Sequence, residues 1–190
     1  YQVTVTDANG CSTTLSFIIE DTAPSNCDSR GNSTQYEWIE KLAFGAFEHQ
    51  SGNNGGLGDF KDDPTLLITL ESGTTNPFIL TPGYAAFAFN EYWRIWIDFD
   101  QDGDYSDPSE LLYTSGPSNT EVTGLMALPA TVAEGTYTMR VSMKYGSPPL
   151  PCANVAYGEV EEYTVEVVEP LIYCSAAAAS SVMEWLASVQ

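Results

Sequence analysis

The chain has 190 residues, of which 26 are acidic and only 6 are basic, so its formal net charge is −20. So few basic residues cannot form a patch that binds phosphates, and we therefore expect neither nucleic acid nor anionic membrane surfaces as partners. No apolar run is long enough to cross a bilayer, which argues against membrane insertion. The apolar content of 43% is ordinary for a globular chain and predicts one domain with flanking pieces.

The first 21 residues have the pattern of a two-stranded hairpin. Val3 opens a run that alternates with threonines, a turn containing glycine follows at residues 7–10, and Leu15 opens a second alternating run. Two strands alone are marginally stable, so we expect residues 1–21 to end a preceding domain and to pack on it or on a neighbouring copy. Residues 22–26 are predicted to form a linker.

β-Strand patterns dominate the stretch from residue 27 to residue 169. Apolar residues alternate with polar ones at residues 93–99, 137–145 and 163–167, and clusters of Gly, Pro and Asn separate such runs. Many short strands divided by turns are typical of sandwiches. We therefore predict that residues 27–169 form an all-β domain, a two-sheet antiparallel β-sandwich that is jelly-roll-like.

An acidic loop follows the strand predicted at residues 93–99. Carboxylates occupy every second position there, and Gly103 lets the backbone turn sharply. Carboxylates at this density repel one another unless a cation lies among them, and Ca²⁺ prefers about six to eight oxygen ligands. The spacing departs from the EF-hand pattern, so we predict a calcium loop on a β-scaffold; the alternative is a solvated acidic turn. The predicted Ca²⁺ ligands are Asp98, Asp100, Asp102, Asp104 and Glu110.

The end of the chain repeats a pattern from the start of the predicted sandwich. Cys27 and Cys174 each precede a Glu-Trp pair by the same number of residues, and small polar residues follow each cysteine. So long a period indicates tandem whole domains and not a short-repeat solenoid. We expect residues 170–190 to begin a second copy; the alternative is a chance match in a linker rich in Ser and Ala.

Three segments together closely resemble the GEVED domain, a family named for its closing motif. They are residues 158–165, the acidic loop and residues 139–145, and the resemblance covers about residues 27–168. Residues 3–11 are similar to the end of the Ig-like repeat of very large bacterial gliding adhesins. Both modules occur in multidomain proteins exported to the bacterial surface, often by the type IX secretion system. The resemblance implies an extracellular adhesive or ancillary module and no enzymatic activity.

The four cysteines suit a secreted, oxidised protein, because no Cys-x-x-Cys motif and only one histidine are present to form a zinc site. Within the boundaries of the resemblance, Cys27 opens the unit and Cys152 lies just before its closing strand. We therefore expect Cys27 and Cys152 to form a disulfide. Cys11 and Cys174 belong by motif to the neighbouring domains and are expected to pair upstream and downstream.

In a chain so poor in basic residues, each arginine is expected to have a carboxylate partner. Arg140 is predicted to pair with Glu159 or Glu161, which share one face of the closing strand. An alternative role for these two glutamates is to bind a second Ca²⁺. The two roles are compatible with each other.

Other candidate sites are weaker. Trp96 could stack on a sugar because it lies off the apolar stripe of its strand, but a core position is favoured. His49 is expected at the surface, and no nucleophile elbow is present, so no catalytic residue is predicted. Asn32 fits the N-glycan acceptor pattern, and Thr22 lies in a sequence that resembles a bacterial O-glycosylation motif.

These expectations combine into one functional hypothesis. The chain is expected to be a calcium-stabilised structural and adhesive module of a large secreted bacterial surface protein or fibre. Its partners would then be neighbouring copies or domains of the same protein. The alternative is a module that binds glycans or another ligand and is appended to a secreted enzyme, in which case surface glycans would be partners.

Overall fold

The computed structural model of the chain describes residues 2–8, 10–16 and 27–170. The predicted linker with Thr22, and nearly all of the predicted second copy with Cys174, lie outside the described residues. Within the described residues, no helix is long and apolar enough to cross a membrane. Apart from one short 3₁₀ helix (Pro64–Leu66), every regular element there is a β-strand.

The predicted N-terminal hairpin is present as a separate two-stranded sheet. Strands β1 (Gln2–Thr6) and β2 (Ser12–Ser16) pair antiparallel. The turn is closed by Asp7, whose Oδ1 accepts a 2.9 Å hydrogen bond from the amide of Cys11. Val5 is 62% exposed, as an apolar residue of an uncovered hairpin would be. Its packing on a neighbouring domain stays a prediction.

The first sheet of the sandwich has four antiparallel strands. They are β3 (Glu37–Phe44), β4 (Phe47–His49), β7 (Thr75–Tyr84) and β10 (Val122–Ala127). Their order across the sheet is β10-β7-β3-β4, so β3 and β7 are central and each is paired on both sides.

The second sheet has six strands. They are β5 (Leu57–Asp59), β6 (Ile68–Glu71), β8 (Glu91–Asp98), β9 (Leu111–Thr114), β11 (Gly135–Tyr145) and β12 (Gly158–Val168). The antiparallel part has the order β12-β11-β8-β9. Both β5 and β6 pair parallel to the other side of β12, so this edge is mixed and not antiparallel throughout. Parallel pairing is possible here because a long stretch of chain separates these strands from β12.

The core lies between the two sheets. Alternate residues of each strand point inward, which is the arrangement that the period-two pattern predicts. Each large apolar side chain buried in this way contributes roughly 1.5–3 kcal/mol to the free energy of unfolding. The buried core residues include Ile39, Leu42, Phe44, Phe78 and Leu80 from the first sheet and Trp93, Ile95, Ile97, Met139, Val141, Met143, Tyr163 and Val165 from the second. The prediction of an all-β sandwich is confirmed.

Candidate metal centre

The acidic loop begins at Asp98, the last residue of β8. Trp93, Ile95 and Ile97 are buried in the core, so Asp98 belongs to the opposite, outer face of the sheet. Its side chain is nevertheless buried, with 6% exposed. Oδ2 accepts a 3.1 Å hydrogen bond from the amide of Gly103, whereas Oδ1 is buried and has no hydrogen-bond partner in the described part of the chain. Burial raises the pKa of this carboxyl, and the amide of Gly103 opposes that rise.

Three of the predicted ligands come together in the loop. One carboxylate oxygen from each of Asp98, Asp100 and Asp102 lies within 4.8 Å of the other two. Oδ1 of Asp100 accepts from the amide of Asp102 at 3.3 Å, and Oδ1 of Asp102 accepts from the amide of Asp104 at 2.9 Å. Gly103 has a φ of 85°, a left-handed conformation that glycine adopts without strain. These local bonds curl the loop so that its carboxylates converge.

The other two predicted ligands make different contacts. Oδ1 of Asp104 accepts from the amide of Ser106 at 2.7 Å. Glu110 is 2% exposed and accepts from the amides of Phe99 at 3.1 Å and Asp107 at 3.3 Å, so it braces the two ends of the loop. Burial raises the pKa of Glu110 to about 7, although both amides favour its charged form. A ligand role for Asp104 and Glu110 stays a prediction.

The residues that converge here fit a hard divalent cation. Such ions prefer oxygen ligands, and carboxylates are the strongest of these in proteins. A cation would supply the missing partner of Asp98 Oδ1 and offset the repulsion among the three carboxylates. Among the described residues, no other group of three His, Cys, Asp or Glu side chains brings its ligand atoms this close.

Tyr105 anchors the acidic loop to the sheet. Its side chain is only 4% exposed and packs in a small cluster with Cys27 and Trp96. The guanidinium carbon of Arg140 lies 4.3 Å from the centre of the Tyr105 ring. A cation over an aromatic face is attracted to it, most strongly where water is excluded. This role of Tyr105 was not predicted, because the sequence pattern of the loop does not show which strand the tyrosine contacts.

Trp96 belongs to the same cluster and is only 1% exposed. The favoured core position is therefore the one observed. Its ring is not available for stacking on a sugar, so the glycan-binding alternative loses its best candidate residue.

The predicted disulfide joins Cys27 to Cys152, with their Cα atoms 4.5 Å apart. It ties the segment before β3 to the segment before β12, and Cys27 packs against Tyr105 and Trp96. By the chain-entropy model, closing a loop of this length stabilises the fold by roughly 4–5 kcal/mol. Cys11 is exposed and has no disulfide partner among the described residues.

The predicted partner of Arg140 is wrong. Arg140 forms its ion pair with Glu162, donating from Nε at 2.9 Å and also from Nη2. The register of β11 and β12 places Arg140 directly opposite Glu162, and both side chains belong to the outer face. Glu159 and Glu161 belong to the inner face, which by alternation they share with Tyr163, so they lie on the face opposite to Arg140. Lys61 also pairs with Glu162, and Nη1 of Arg140 donates to the carbonyl of Pro151 at 2.6 Å.

Glu159 and Glu161 instead hold a glycine-rich loop against the core. Glu159 accepts from three backbone amides, those of Ile39 at 3.0 Å, Asn54 at 2.7 Å and Gly56 at 3.2 Å. Burial raises the pKa of Glu159, whereas these amides favour its charged form. Glu161 accepts from the hydroxyl of Tyr163 at 2.8 Å, and burial raises its pKa to about 8.

Gly158 opens the closing motif because no other residue fits its position. Its φ is 123°, and an added Cβ would lie 2.1 Å from the carbonyl oxygen of Met143. The Gly-Glu start of the motif is therefore structural: the glycine permits close approach of two strands, and the glutamate fixes a loop.

His49 is half-buried and not a free surface residue as predicted. Its Nδ1 lies 2.9 Å from the hydroxyl of Tyr163, and its ring contacts that of Phe60 edge-on, with ring centres 4.7 Å apart. Burial lowers the pKa of His49. The prediction of a surface position was wrong because β4, although it lies at the edge of its sheet, is partly covered by Phe60 and Tyr163.

The candidate N-glycan acceptor Asn32 is exposed, and its backbone N–H donates to the carbonyl of Val155 at 2.8 Å. Its modification stays a prediction. Thr22 cannot be placed, because it lies outside the described residues.

Comparison with known protein families gives a match. The family model of the GEVED domain matches residues 92–166, which contain the acidic loop, Arg140 and the closing strand. No curated protein is significantly similar to the chain. The match indicates a small module of the extracellular type, and the disulfide is compatible with that location. The residues that match this family model run from β8 to β12.

Proposed function

We propose that this chain is a structural and adhesive module of a large secreted bacterial surface protein, and that Ca²⁺ bound in the acidic loop stabilises it. One observation carries the calcium part of the proposal. Oδ1 of Asp98 is buried without a hydrogen-bond partner among the described residues, beside the carboxylates of Asp100 and Asp102. A buried carboxylate oxygen in that state is costly unless a cation accompanies it.

The ion would be held by Asp98, Asp100 and Asp102, with Asp104 and Glu110 as further candidate ligands. When bound, Ca²⁺ supplies charge neutralisation. The chain itself links the loop to the rest of the sandwich through Tyr105, which packs against Arg140 and Cys27. Ordering the loop should therefore also order the contact between the disulfide and the outer face of the second sheet.

The location and the partners follow from several features together. The disulfide suits an oxidising compartment. A net charge of −20 keeps neighbouring modules apart and soluble, which suits an extended array. Neighbouring copies or domains of the same protein are the proposed partners, and export to the bacterial surface by the type IX system is the proposed route.

We propose no catalytic role for the module. The chain has a single histidine, and His49 is engaged with the hydroxyl of Tyr163, which itself donates to Glu161. Arg140 and Lys61 are both paired with Glu162. His49, Arg140 and Lys61 are thus engaged in contacts that hold the fold together.

Thermal unfolding with and without Ca²⁺ tests the proposal. At millimolar Ca²⁺ and a dissociation constant of about 10⁻⁴–10⁻³ M, mass action should raise the melting temperature by roughly 2–6 °C relative to EDTA. Asp98→Asn should remove most of that shift because it deletes the charge of the most buried of the three converging carboxylates. Asp62→Asn, an exposed carboxylate outside the loop, is the matched control and should keep it. Equal melting temperatures of the unchanged protein in Ca²⁺ and in EDTA would refute the calcium part.

A further inference from the structure

A second buried carboxylate lacks a partner at the opposite end of β8. Glu91 is 0% exposed, and neither of its Oε atoms has a hydrogen-bond partner in the described part of the chain. It precedes Trp93, Ile95 and Ile97 on the same alternating face, so it belongs to the interior between the two sheets. Unlike Asp98, it receives no hydrogen bond from a backbone amide.

Glu37, the first residue of β3, is a second carboxylate at this end of the sandwich. It is 2% exposed. Burial and then the nearby charge of Glu37 raise the pKa of Glu91 to about 8, and burial raises the pKa of Glu37 as well. The two acids therefore lie close together at this end of the sandwich, and a nearby cation would favour their charged forms.

None of the chain's described basic residues neutralises this pair. The salt bridges of the described residues join Lys41 to Glu48, Lys61 to Asp59 and Glu162, and Arg140 to Glu162. Neither Glu37 nor Glu91 takes part in one. A compensating cation would therefore have to come from outside these residues.

An aromatic pocket opens from Glu37 to the surface. This aromatic pocket has a volume of about 170 Å³ and is lined by Tyr36, Glu37, Phe89, Tyr145 and Tyr157. The ring centres of Tyr36 and Tyr157 are 6.0 Å apart, and those of Phe89 and Tyr145 are 5.6 Å apart. Tyr36, Tyr145 and Tyr157 are 44%, 48% and 44% exposed, so their rings form an open rim.

The strand register connects this rim to the buried acids. Tyr145, the last residue of β11, is paired with Glu91, the first residue of β8. Glu37 is paired with Tyr84, and burial followed by the charges of Glu91 and Glu37 raises the pKa of Tyr84. The hydroxyl of Tyr84 donates to the carbonyl of Phe89 at 2.9 Å and so does not neutralise either glutamate.

Aromatic rings around a negatively charged base match one chemical class of ligand. Ring faces attract organic cations, whose charge is spread over an apolar surface, and such rings are the usual means of binding quaternary ammonium and methylated lysine groups. A hard metal ion would gain little from the rings, because it requires a shell of oxygen ligands. Anions are excluded by the two carboxylates.

We propose that the aromatic pocket binds an alkylammonium group, either a small free amine or the side chain of a lysine on another protein. The head group enters between the tyrosine rings and is stabilised by the carboxylate of Glu37, which lines the pocket. This inference does not rest on calcium binding, because the pocket and the acidic loop lie at opposite ends of β8.

Titrations of the full chain at millimolar Ca²⁺, followed by calorimetry and NMR chemical shifts, test the proposal. The probes are choline, its neutral carbon isostere, and a glycine-lysine-glycine peptide with blocked ends. We expect saturable binding of at least one of the two cations and much weaker binding of the neutral isostere. Binding of choline alone would identify a free amine as the ligand, whereas binding of the peptide would identify a lysine side chain. The shifts should centre on Tyr36, Tyr145 and Tyr157.

Four variants complete the test. Glu37→Gln removes the carboxylate that lines the pocket with little change of shape, and Tyr157→Ala removes one ring from the exposed rim. Each should weaken cation binding by roughly tenfold. Phe87→Ala is the matched aromatic control, because Phe87 is 76% exposed and does not line the pocket. Asp98→Asn should leave binding unchanged, which separates this inference from the calcium proposal. Absence of binding by both cations, equal binding of the neutral isostere, or equal affinity of Tyr157→Ala would overturn it.

Discussion

The two ends of β8 carry the same unusual feature in different surroundings. Glu91 at its start and Asp98 at its end are both buried, and each has an oxygen without a hydrogen-bond partner among the described residues. Further carboxylates surround Asp98, and their oxygens suit a hard cation. Near Glu91 is a second glutamate below aromatic rings, which suits an organic cation. We propose that each unpartnered carboxylate accompanies a cation and that the neighbouring groups determine which kind.

The largest expected effect comes from breaking the ion pair at the Asp98 end. Arg140→Met leaves Glu162 buried beside Lys61 alone and removes the cation that packs on Tyr105. Removing one partner of a buried pair destabilises a protein by about 3–5 kcal/mol, and we expect the lower part of that range because Lys61 remains. Urea unfolding measures the change.

Replacing both partners of that pair provides the control. Arg140→Met combined with Glu162→Gln should recover part of the lost free energy of unfolding, since no buried charge is then left unpaired. In both variants Ca²⁺ affinity should fall while choline affinity stays unchanged, because only the Asp98 end is altered. A simultaneous loss of choline binding would show that the two ends are not independent.

A smaller effect is expected for Glu159→Ala, which leaves the amides of Ile39, Asn54 and Gly56 without their acceptor. Unsatisfied buried donors cost about 1–3 kcal/mol in the free energy of unfolding. Ile39 lies two residues from Glu37 on β3, so this variant should disturb the Glu91 end more than the acidic loop. Hydrogen exchange should show faster exchange of the Asn54 and Gly56 amides. Unchanged exchange there would contradict the role assigned to the closing glutamate.

The last predicted effect is a pH dependence at the Glu91 end. The pKa of Glu91 is raised to about 8 in the folded chain, above the ordinary value of 4.5. Between these values the folded chain keeps a proton that the unfolded chain releases, so the free energy of unfolding falls as the pH rises through this window. Glu91→Gln removes this contribution. Its stability relative to the unchanged protein should therefore increase from about pH 5 to about pH 8.

Urea unfolding at both pH values in calcium-free buffer measures this difference. Glu161, whose pKa is also raised to about 8, is present in both proteins, so its contribution cancels. Asp62→Asn serves again as the exposed control and should track the unchanged protein. A stability difference that does not vary with pH would mean that Glu91 is not a buried acid of raised pKa.

The comparison also shows what the sequence could predict. Alternating residues in β8, β11 and β12 predicted the strands and the sandwich, because the period of two is local. The convergence of Asp98, Asp100 and Asp102 was predictable for the same reason, since their spacing and Gly103 lie within a single loop. A local pattern is sufficient for features that a few consecutive residues determine.

The remaining features depend on register and on long-range assembly. The partner of Arg140 is set by how β11 aligns with β12, and a shift of one residue exchanges Glu162 for a glutamate on the other face. The aromatic pocket is built from four separate segments, and the pattern gave Glu91 no role. The position of Glu91 on the same face as Trp93 and Ile95 was nevertheless visible in the sequence, where this glutamate interrupts an otherwise apolar stripe.

Calorimetric titration of the chain with Ca²⁺ tests the central proposal most directly. We expect each chain to bind one Ca²⁺ ion with a dissociation constant of about 10⁻⁴–10⁻³ M. Asp98→Asn should abolish the binding heat, whereas Glu91→Gln, the matched change at the other end of β8, should leave it intact. Absence of saturable binding, or equal Ca²⁺ affinity in the Asp98→Asn variant, would contradict the assignment of the acidic loop as a calcium site.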